Sequence, residues 1–130
     1  YQDPEFYPCP CCGHLVFRRE PGGHEVCPIC LWEDELAQLR FPLMPSISNG
    51  VSLSAAQQNY LRFGVAQHKN LGLAREPLEN ERLDPDWRPL DPELDNIEQP
   101  QRGEDYALSY PWRDRTVLYY WRSTYWRRLQ

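Results

Sequence analysis

Two pairs of cysteines near the N-terminal end constrain this chain more than any other feature. Cys9 and Cys12 form one C-x-x-C pair, Cys27 and Cys30 form a second, and 14 residues lie between the pairs. This spacing is typical of two short turns, here called knuckles, that hold one tetrahedral metal ion. Because four thiolates favour Zn²⁺, the sequence predicts one structural zinc ion bound by these four cysteines.

The residues beside the cysteines predict a zinc ribbon. Pro10 and Pro28 follow the first cysteine of each pair and fix the conformation of its turn. Residues 15–19 and 25–26 are predicted to be short strands, joined at a turn over residues 21–23. Such a hairpin would bring the second knuckle beside the first.

Other uses of the cysteines were weighed against zinc. Two disulfides would leave one of the five cysteines unpaired. A thioredoxin-like redox pair requires a βαβ unit, for which the chain has no pattern. A zinc deaminase requires an H-x-E motif before its P-C-x-x-C, and no histidine precedes Cys9. Cys11 is predicted to be packed as a small apolar residue, whereas His14 and His24 remain alternative metal ligands.

Three runs of sequence resemble a known family. The runs YPCPCCG, CPICLWEDE and NGVSLSAAQQNYLRFG, within residues 7–77, are similar to the bacterial cysteine-rich CPCC proteins. The resemblance implies a metal-binding domain, often found near bacterial toxin loci, without an established activity. The chain departs from the family pattern at Ala55, where such proteins tend to carry an acidic residue, so an altered capping box is expected.

The clearest helix is predicted over residues 53–63. Ser52 or Ser54 can cap its start, Ser54 with Gln57 gives the S-x-x-Q form of the capping box, and Gly64 ends it. Its apolar stripe is expected to pack on the ribbon. A second short helical piece is predicted within residues 65–73.

The fold class predicted from these elements is small α+β. A zinc-ribbon β-hairpin packs with one or two helices and long irregular loops, and residues 1–130 form a single domain. Residues 7–77 form the ribbon-like core. Residues 78–130 begin with an acidic wrapping loop, here called the acidic loop, which extends to residue 103. An aromatic and arginine-rich segment, here called the C-terminal element, follows the loop. A free linker to a second domain is the alternative to the acidic loop. Four apolar side chains favour a loop that packs on the domain instead: Trp87, Leu90, Leu94 and Ile97.

Charge separates the chain into an acidic middle and a basic end. Residues 76–105 carry eleven acidic and three basic side chains, whereas residues 106–130 carry one and five. The acidic middle favours basic partners over nucleic acid. The acidic turn 33–35 is expected to face water. The predicted partner-binding residues are Glu33, Asp34, Glu35, Asp84, Asp86, Asp91, Glu93 and Asp95.

The C-terminal element combines aromatic rings with arginines, a pattern typical of single-stranded nucleic acid binding. A nucleic-acid-binding zinc ribbon is therefore the alternative function. However, Val117, Trp121, Tyr125 and Leu129 recur at four-residue spacing, which predicts a helix facing the core. A strand over residues 116–121 is the alternative structure. The arginines are expected to pair chiefly with the acidic middle.

The closed metal site and the absence of a catalytic motif predict a protein that is not an enzyme, but a zinc-stabilised protein-binding module. The family resemblance implies a more specific function, that of an immunity protein. Its acidic surface would neutralise a toxin with a basic active-site cleft. The sequence shows neither an apolar run of about 18 residues nor a basic-then-apolar leader. We therefore expect no membrane span and a cytoplasmic location.

Overall fold

The computed structural model describes residues 6–99 and 113–127. Its elements, in chain order, are the strands β1 (Tyr7–Pro8) and β2 (Leu15–Phe17), the helices α1 (Leu36–Arg40) and α2 (Leu53–Phe63), and 3-10 helices at His68–Leu73 and Arg115–Leu118. The two strands form an antiparallel hairpin beside the cysteines, so the predicted small α+β fold is confirmed. Within the described ranges, every helix is too short or too polar to cross a lipid bilayer.

The pairing of the strands differs from the prediction. Residues 15–19 were expected to pair with residues 25–26, but β2 pairs with β1 instead. The carboxylate of Glu25 accepts hydrogen bonds from the backbone N–H groups of Arg18, at 3.0 Å, and Arg19, at 2.9 Å. A side chain therefore takes up the amides that a second strand would have bonded.

Helix α2 begins and ends where the sequence predicts. The hydroxyl of Ser52 caps it by accepting a 3.1 Å hydrogen bond from the N–H of Ala55. Gly64 ends it in the left-handed conformation, with φ of 79°. The alternative cap at Ser54 does not form, because Ser54 lies within the helix and its N–H donates a 3.0 Å hydrogen bond to the carbonyl of Pro42.

The shorter helices match the sequence only in part. The helical piece predicted within residues 65–73 is present as the 3-10 helix His68–Leu73. Helix α1 was not predicted, because five residues are too few to give a periodic apolar pattern.

The core of the protein lies around the cysteines. Leu53 and Ala56 of helix α2 are fully buried in the same cluster as the cysteines, so α2 covers the knuckles. The last part of its predicted stripe, Leu61 and Phe63, is exposed. Five residues of the C-terminal element complete the cluster: Leu118, Tyr119, Tyr120, Trp121 and Tyr125.

The described part of the acidic loop lies against the first knuckle. The N–H of Asp84 donates a 2.8 Å hydrogen bond to the carbonyl of Gly13. The indole N–H of Trp87 donates a 2.9 Å hydrogen bond to the carbonyl of Pro10. These contacts satisfy polar groups of the knuckle that would otherwise need water.

Three of the four apolar side chains that were predicted to hold the loop pack against the core. Leu90 and Ile97 are buried, and Trp87 is partly buried. Leu94 is 83% exposed, so its predicted contact is wrong. It follows Asp91 in a tight turn, whose hydrogen bonds aim the Leu94 side chain away from the core.

The C-terminal element is not the α-helix that its four-residue spacing predicts. Asp114 caps a single 3-10 turn, Arg115–Leu118, after which the chain turns back. The N–H of Trp126 then donates a 3.0 Å hydrogen bond to the carbonyl of Val117. Aromatic and β-branched residues have modest helix propensity, so tertiary packing decides the conformation here. Leu129, the last member of the predicted stripe, lies outside the described residues.

Candidate metal centre

The two knuckles have the same backbone hydrogen bonds. In each, the carbonyl of the first cysteine accepts from the N–H four residues later, at 2.7 Å for Cys9 and 2.9 Å for Cys27. The N–H of each first cysteine donates to the carbonyl five residues later, at 2.9 Å in both knuckles. The C-P-x-C sequences therefore fold into two equivalent turns that face each other.

The residue after each knuckle has a left-handed backbone. Gly13 has φ of 82°, and Leu31, at the matching place in the second knuckle, has φ of 68°. Glycine adopts this conformation without strain, whereas for leucine it costs about 1 to 2 kcal/mol. The Trp87 ring also approaches Gly13 so closely that a Cβ there would lie 2.6 Å from it. The backbone conformation therefore favours glycine at position 13, and the close approach of Trp87 requires it.

The four paired cysteines bring their sulfur atoms together. The Sγ atoms of Cys9 and Cys30 are 3.7 Å apart, and those of Cys12 and Cys27 are 3.8 Å apart. All four lie within 4.8 Å of one another. Each side chain is at most 1% exposed. None of the cysteines is in a disulfide.

These distances fit a tetrahedral metal ion. Metal–sulfur bonds of about 2.3 Å produce a tetrahedron whose edges are about 3.8 Å long. The N–H of Ile29 also donates a 3.4 Å hydrogen bond to the Sγ of Cys27, as outer groups do when they stabilise a ligating thiolate. The four cysteines are therefore positioned to bind one metal ion.

The four buried thiols do not ionise independently of one another. Burial raises the pKa of the Cys9 and Cys30 thiols. The pKa of Cys27 lies well below its ordinary value, because the thiols of Cys12, Cys30 and Cys9 hydrogen-bond to its sulfur. Four buried thiolates cannot ionise together without a positive charge between them. Metal binding at this centre therefore releases protons.

Cys11, His14 and His24 lie outside this group of ligands. Cys11 is fully buried, and burial raises the pKa of its thiol. The Nδ1 atom of His14 is 2.6 Å from the carbonyl oxygen of Glu81, and that of His24 is 3.2 Å from the carboxylate of Glu33. The geometry therefore gives no support to a histidine ligand.

The acidic turn after the second knuckle is only partly open to solvent. Asp34 is 2% exposed, and its carboxylate accepts a 3.2 Å hydrogen bond from the N–H of Gly22. Burial raises the pKa of Asp34 to about 7. Glu33 and Glu35 are partly exposed. The expectation that the whole turn faces water is therefore wrong for Asp34, which no partner can reach.

The structure divides the predicted acidic residues of the loop into two groups. Asp84 is 3% exposed, and its Oδ2 accepts hydrogen bonds from Trp121, at 3.0 Å, and Arg122, at 2.8 Å. Asp95 binds both terminal nitrogens of Arg88, at 2.6 and 2.8 Å. The exposed residues are Asp86, Asp91 and Glu93.

Sequence reasoning missed two buried amides beside the metal centre. Gln57 donates a 2.9 Å hydrogen bond to the carbonyl of Pro10. Asn49 bonds both the N–H and the carbonyl of Glu33, at 2.8 and 2.9 Å. The signal for Gln57 is its position four residues after Leu53, on the buried stripe of α2. Asn49 lies in an Asn-Gly turn, which gives no such signal.

Comparison with known proteins assigns the two knuckles to a family. No curated protein and no solved structure matches the chain. A family model described as cysteine-rich CPCC matches residues 7–81, which include both knuckles and helix α2. The match covers more than half of the 130 residues. The chain therefore belongs to the cysteine-rich CPCC family.

Proposed function

We propose that the protein is a non-enzymatic, zinc-stabilised protein-binding module that acts as an immunity protein against a bacterial toxin. The observation that carries this proposal is the cluster of four buried cysteines, which are positioned to bind one metal ion. A catalytic zinc keeps one position open for water or substrate, and four thiolates leave none. The metal then stabilises the fold, and the function belongs to the surface.

Zinc is the ion that we propose for this centre. Thiolates are soft ligands, which select zinc over the hard cations calcium and magnesium. Zinc prefers four tetrahedral ligands, in agreement with the 3.7 and 3.8 Å sulfur separations. The ion would neutralise part of the thiolate charge and connect the two knuckles, which are 14 residues apart in the sequence.

The exposed carboxylates of the acidic loop support a basic protein partner. Asp86, Asp91 and Glu93 are exposed, whereas Asp84 and Asp95 are held by arginines within the fold. Exposed carboxylates speed the approach of a basic partner and match its charge. A toxin that acts on nucleic acids or nucleotides carries a basic cleft, so an acidic inhibitor suits it.

The C-terminal rings weigh against the nucleic-acid alternative. Tyr119, Tyr120, Trp121 and Tyr125 are at most 9% exposed, and they pack in the core with the cysteines. A ring must present its face to solvent before a base can stack on it. These four rings therefore support the core rather than a nucleic-acid surface.

The metal part of the proposal is tested by analysis of the purified protein. We expect about one zinc per chain, and Cys→Ser at any of the four ligands should release the metal and unfold the protein. Cys11→Ser is the matched control, because Cys11 is equally buried but lies outside the cluster of four cysteines. Absence of zinc, or equal damage from Cys11→Ser, would refute the assignment.

The partner is tested by co-expression with the proteins that the neighbouring reading frames encode, of which we expect one to be a toxin. We expect rescue of growth and a stable complex. Asp86→Lys and Glu93→Lys should each slow association, and the rate should lose part of its salt dependence. Asp91 is not suited to this test, because its carboxylate caps a turn through the N–H of Glu93.

Glu20→Lys is the matched control for these charge reversals. Glu20 is exposed on the turn that follows β2, away from the acidic loop in the sequence, and its reversal changes the net charge by the same amount. If Glu20→Lys slows association as much as Asp86→Lys does, only net charge matters. If none of the reversals changes the rate, the acidic loop is not the interface.

A further inference from the structure

A cleft of about 650 Å³ lies between the acidic loop and the C-terminal element. Residues 82–86 form one wall, residues 122–124 form the other, and Leu15 of β2 also lines it. Clefts of this volume hold small organic molecules. None of the four clustered cysteines lines the cleft, so it is separate from the metal centre.

An internal ion pair neutralises one side of this cleft. The carboxylate of Asp84 accepts hydrogen bonds from Arg122 and from the indole of Trp121, and its second oxygen accepts a 3.0 Å hydrogen bond from the N–H of Asp86. Burial alone would raise the pKa of Asp84, but these hydrogen bonds outweigh burial and lower it. Asp84 and Arg122 therefore form a fixed, ionised pair with little net charge.

Arg82 contributes to the cleft a guanidinium that forms no ion pair with the described residues. Its backbone carbonyl accepts a 2.8 Å hydrogen bond from Leu15, which fixes its position. In the described part of the chain, the guanidinium of Arg82 makes no hydrogen bond or ion pair. The hydroxyls of Ser123 and Thr124, on the opposite wall, are likewise not used by described residues. The cleft therefore presents a cation and hydroxyl donors together.

We propose that this cleft binds a small monocarboxylate with an apolar body. The planar guanidinium of Arg82 matches a carboxylate through two parallel hydrogen bonds, and the hydroxyls of Ser123 and Thr124 supply further donors. Leu83 and Pro85 offer apolar surface beside Arg82. Asp86 also lines the cleft, and its negative charge disfavours a doubly charged phosphate more than a singly charged carboxylate.

The test uses the zinc-loaded full chain with 4-methylpentanoate as the probe and 4-methylpentanamide as its neutral isostere. Binding is followed by backbone amide chemical shifts. We expect the carboxylate to shift the amide signals of residues 82–84, 86 and 122–124. It should bind about tenfold more tightly than the amide, as expected for a charge-assisted hydrogen bond. Arg82→Gln should remove this difference. It leaves the backbone contact with Leu15 in place, and unchanged zinc content and circular dichroism would show that the variant is folded.

Arg19→Gln is the matched control, because it removes the same charge from an exposed position on another loop. It should leave the preference for the carboxylate intact. Equal binding of the carboxylate and the amide would overturn the proposal. If Arg19→Gln and Arg82→Gln lose the preference for the carboxylate equally, the effect is one of general charge and the proposal is likewise overturned. Tighter binding of inorganic phosphate than of 4-methylpentanoate would also overturn it.

Discussion

The side-chain amide of Gln57 donates a 2.9 Å hydrogen bond to the carbonyl of Pro10, and so joins helix α2 to the first cysteine knuckle. The same amide donates to the hydroxyl of Tyr120 at 2.8 Å, and its carbonyl oxygen accepts a 2.9 Å hydrogen bond from the N–H of Leu90. Gln57 is fully buried. One side chain therefore connects the knuckle, helix α2, the acidic loop and the C-terminal element.

Gln57→Leu should destabilise the zinc-loaded protein by about 2 to 3 kcal/mol, because it leaves the buried N–H of Leu90 without an acceptor. The free energy of unfolding is measured by urea titration at a fixed zinc concentration. Gln58→Leu, on the exposed side of the same helix, is the control and should change stability by less than about 0.5 kcal/mol. Equal effects would show that the buried hydrogen bonds contribute little.

Gly13→Ala should lower the free energy of unfolding far more than Gly64→Ala does. Both glycines have left-handed backbones, with φ of 82° and 79°, so each substitution costs about 1 kcal/mol of backbone strain. A Cβ at Gly13 would also clash with the ring of Trp87, whereas no atom lies within 4 Å of one at Gly64. We expect a further loss of about 1 to 3 kcal/mol for Gly13→Ala, measured as the difference in urea unfolding. Similar losses in the two variants would contradict the close approach of Trp87.

Asp34→Asn should remove a pH dependence of stability. The pKa of Asp34 is raised from its ordinary value to about 7 by burial, so the unfolded chain releases this proton at lower pH than the folded protein does. Wild-type stability should therefore fall, relative to Asp34→Asn, as pH rises from about 4 to 7, by at most about 1.4 kcal/mol per pH unit. Above pH 7 the difference should level off.

The measurement for Asp34 is a series of urea titrations of both zinc-loaded proteins between pH 5 and pH 9. Proton effects at the cysteines are common to both proteins and cancel in the difference. Asp86→Asn, at an exposed position, is the control and should give no such trend. A constant difference between wild type and Asp34→Asn across this range would show that Asp34 does not titrate as described.

Ala55→Glu should stabilise helix α2. Ser52 caps the helix by accepting a hydrogen bond from the N–H of Ala55, but the first turn contains no acidic residue. A glutamate at this position can bond back to the N–H of Ser52 and also favours the positive end of the helix dipole. We expect a gain of about 0.5 to 1 kcal/mol in thermal or urea unfolding. Gln58→Glu, which adds the same charge beyond the first turn, should give a smaller gain; an equal one would indicate a general charge effect.

The sequence alone determined the metal centre and helix α2. The two C-P-x-C spacings predicted which four cysteines converge, and Ser52 and Gly64 marked the ends of the helix. Each knuckle and both helix ends depend on contacts within a few residues of the chain, and the convergence of the two knuckles follows from the tetrahedral site that four thiolates favour. A knuckle closes its own hydrogen bonds over five residues, and a helix cap acts within one turn, so local sequence is sufficient to specify them.

Only the tertiary structure decided which strands pair, which acidic side chains face solvent and how the C-terminal element folds. Asp84 is buried because Trp121 and Arg122, more than 35 residues later, supply its hydrogen bonds. Four aromatic rings of the C-terminal element pack in a core built from the cysteines: Tyr119, Tyr120, Trp121 and Tyr125. This packing outweighs the helical spacing of Val117, Trp121 and Tyr125. Burial depends on partners that are distant in the sequence, and a periodic pattern carries no information about which distant segment will cover a given side chain.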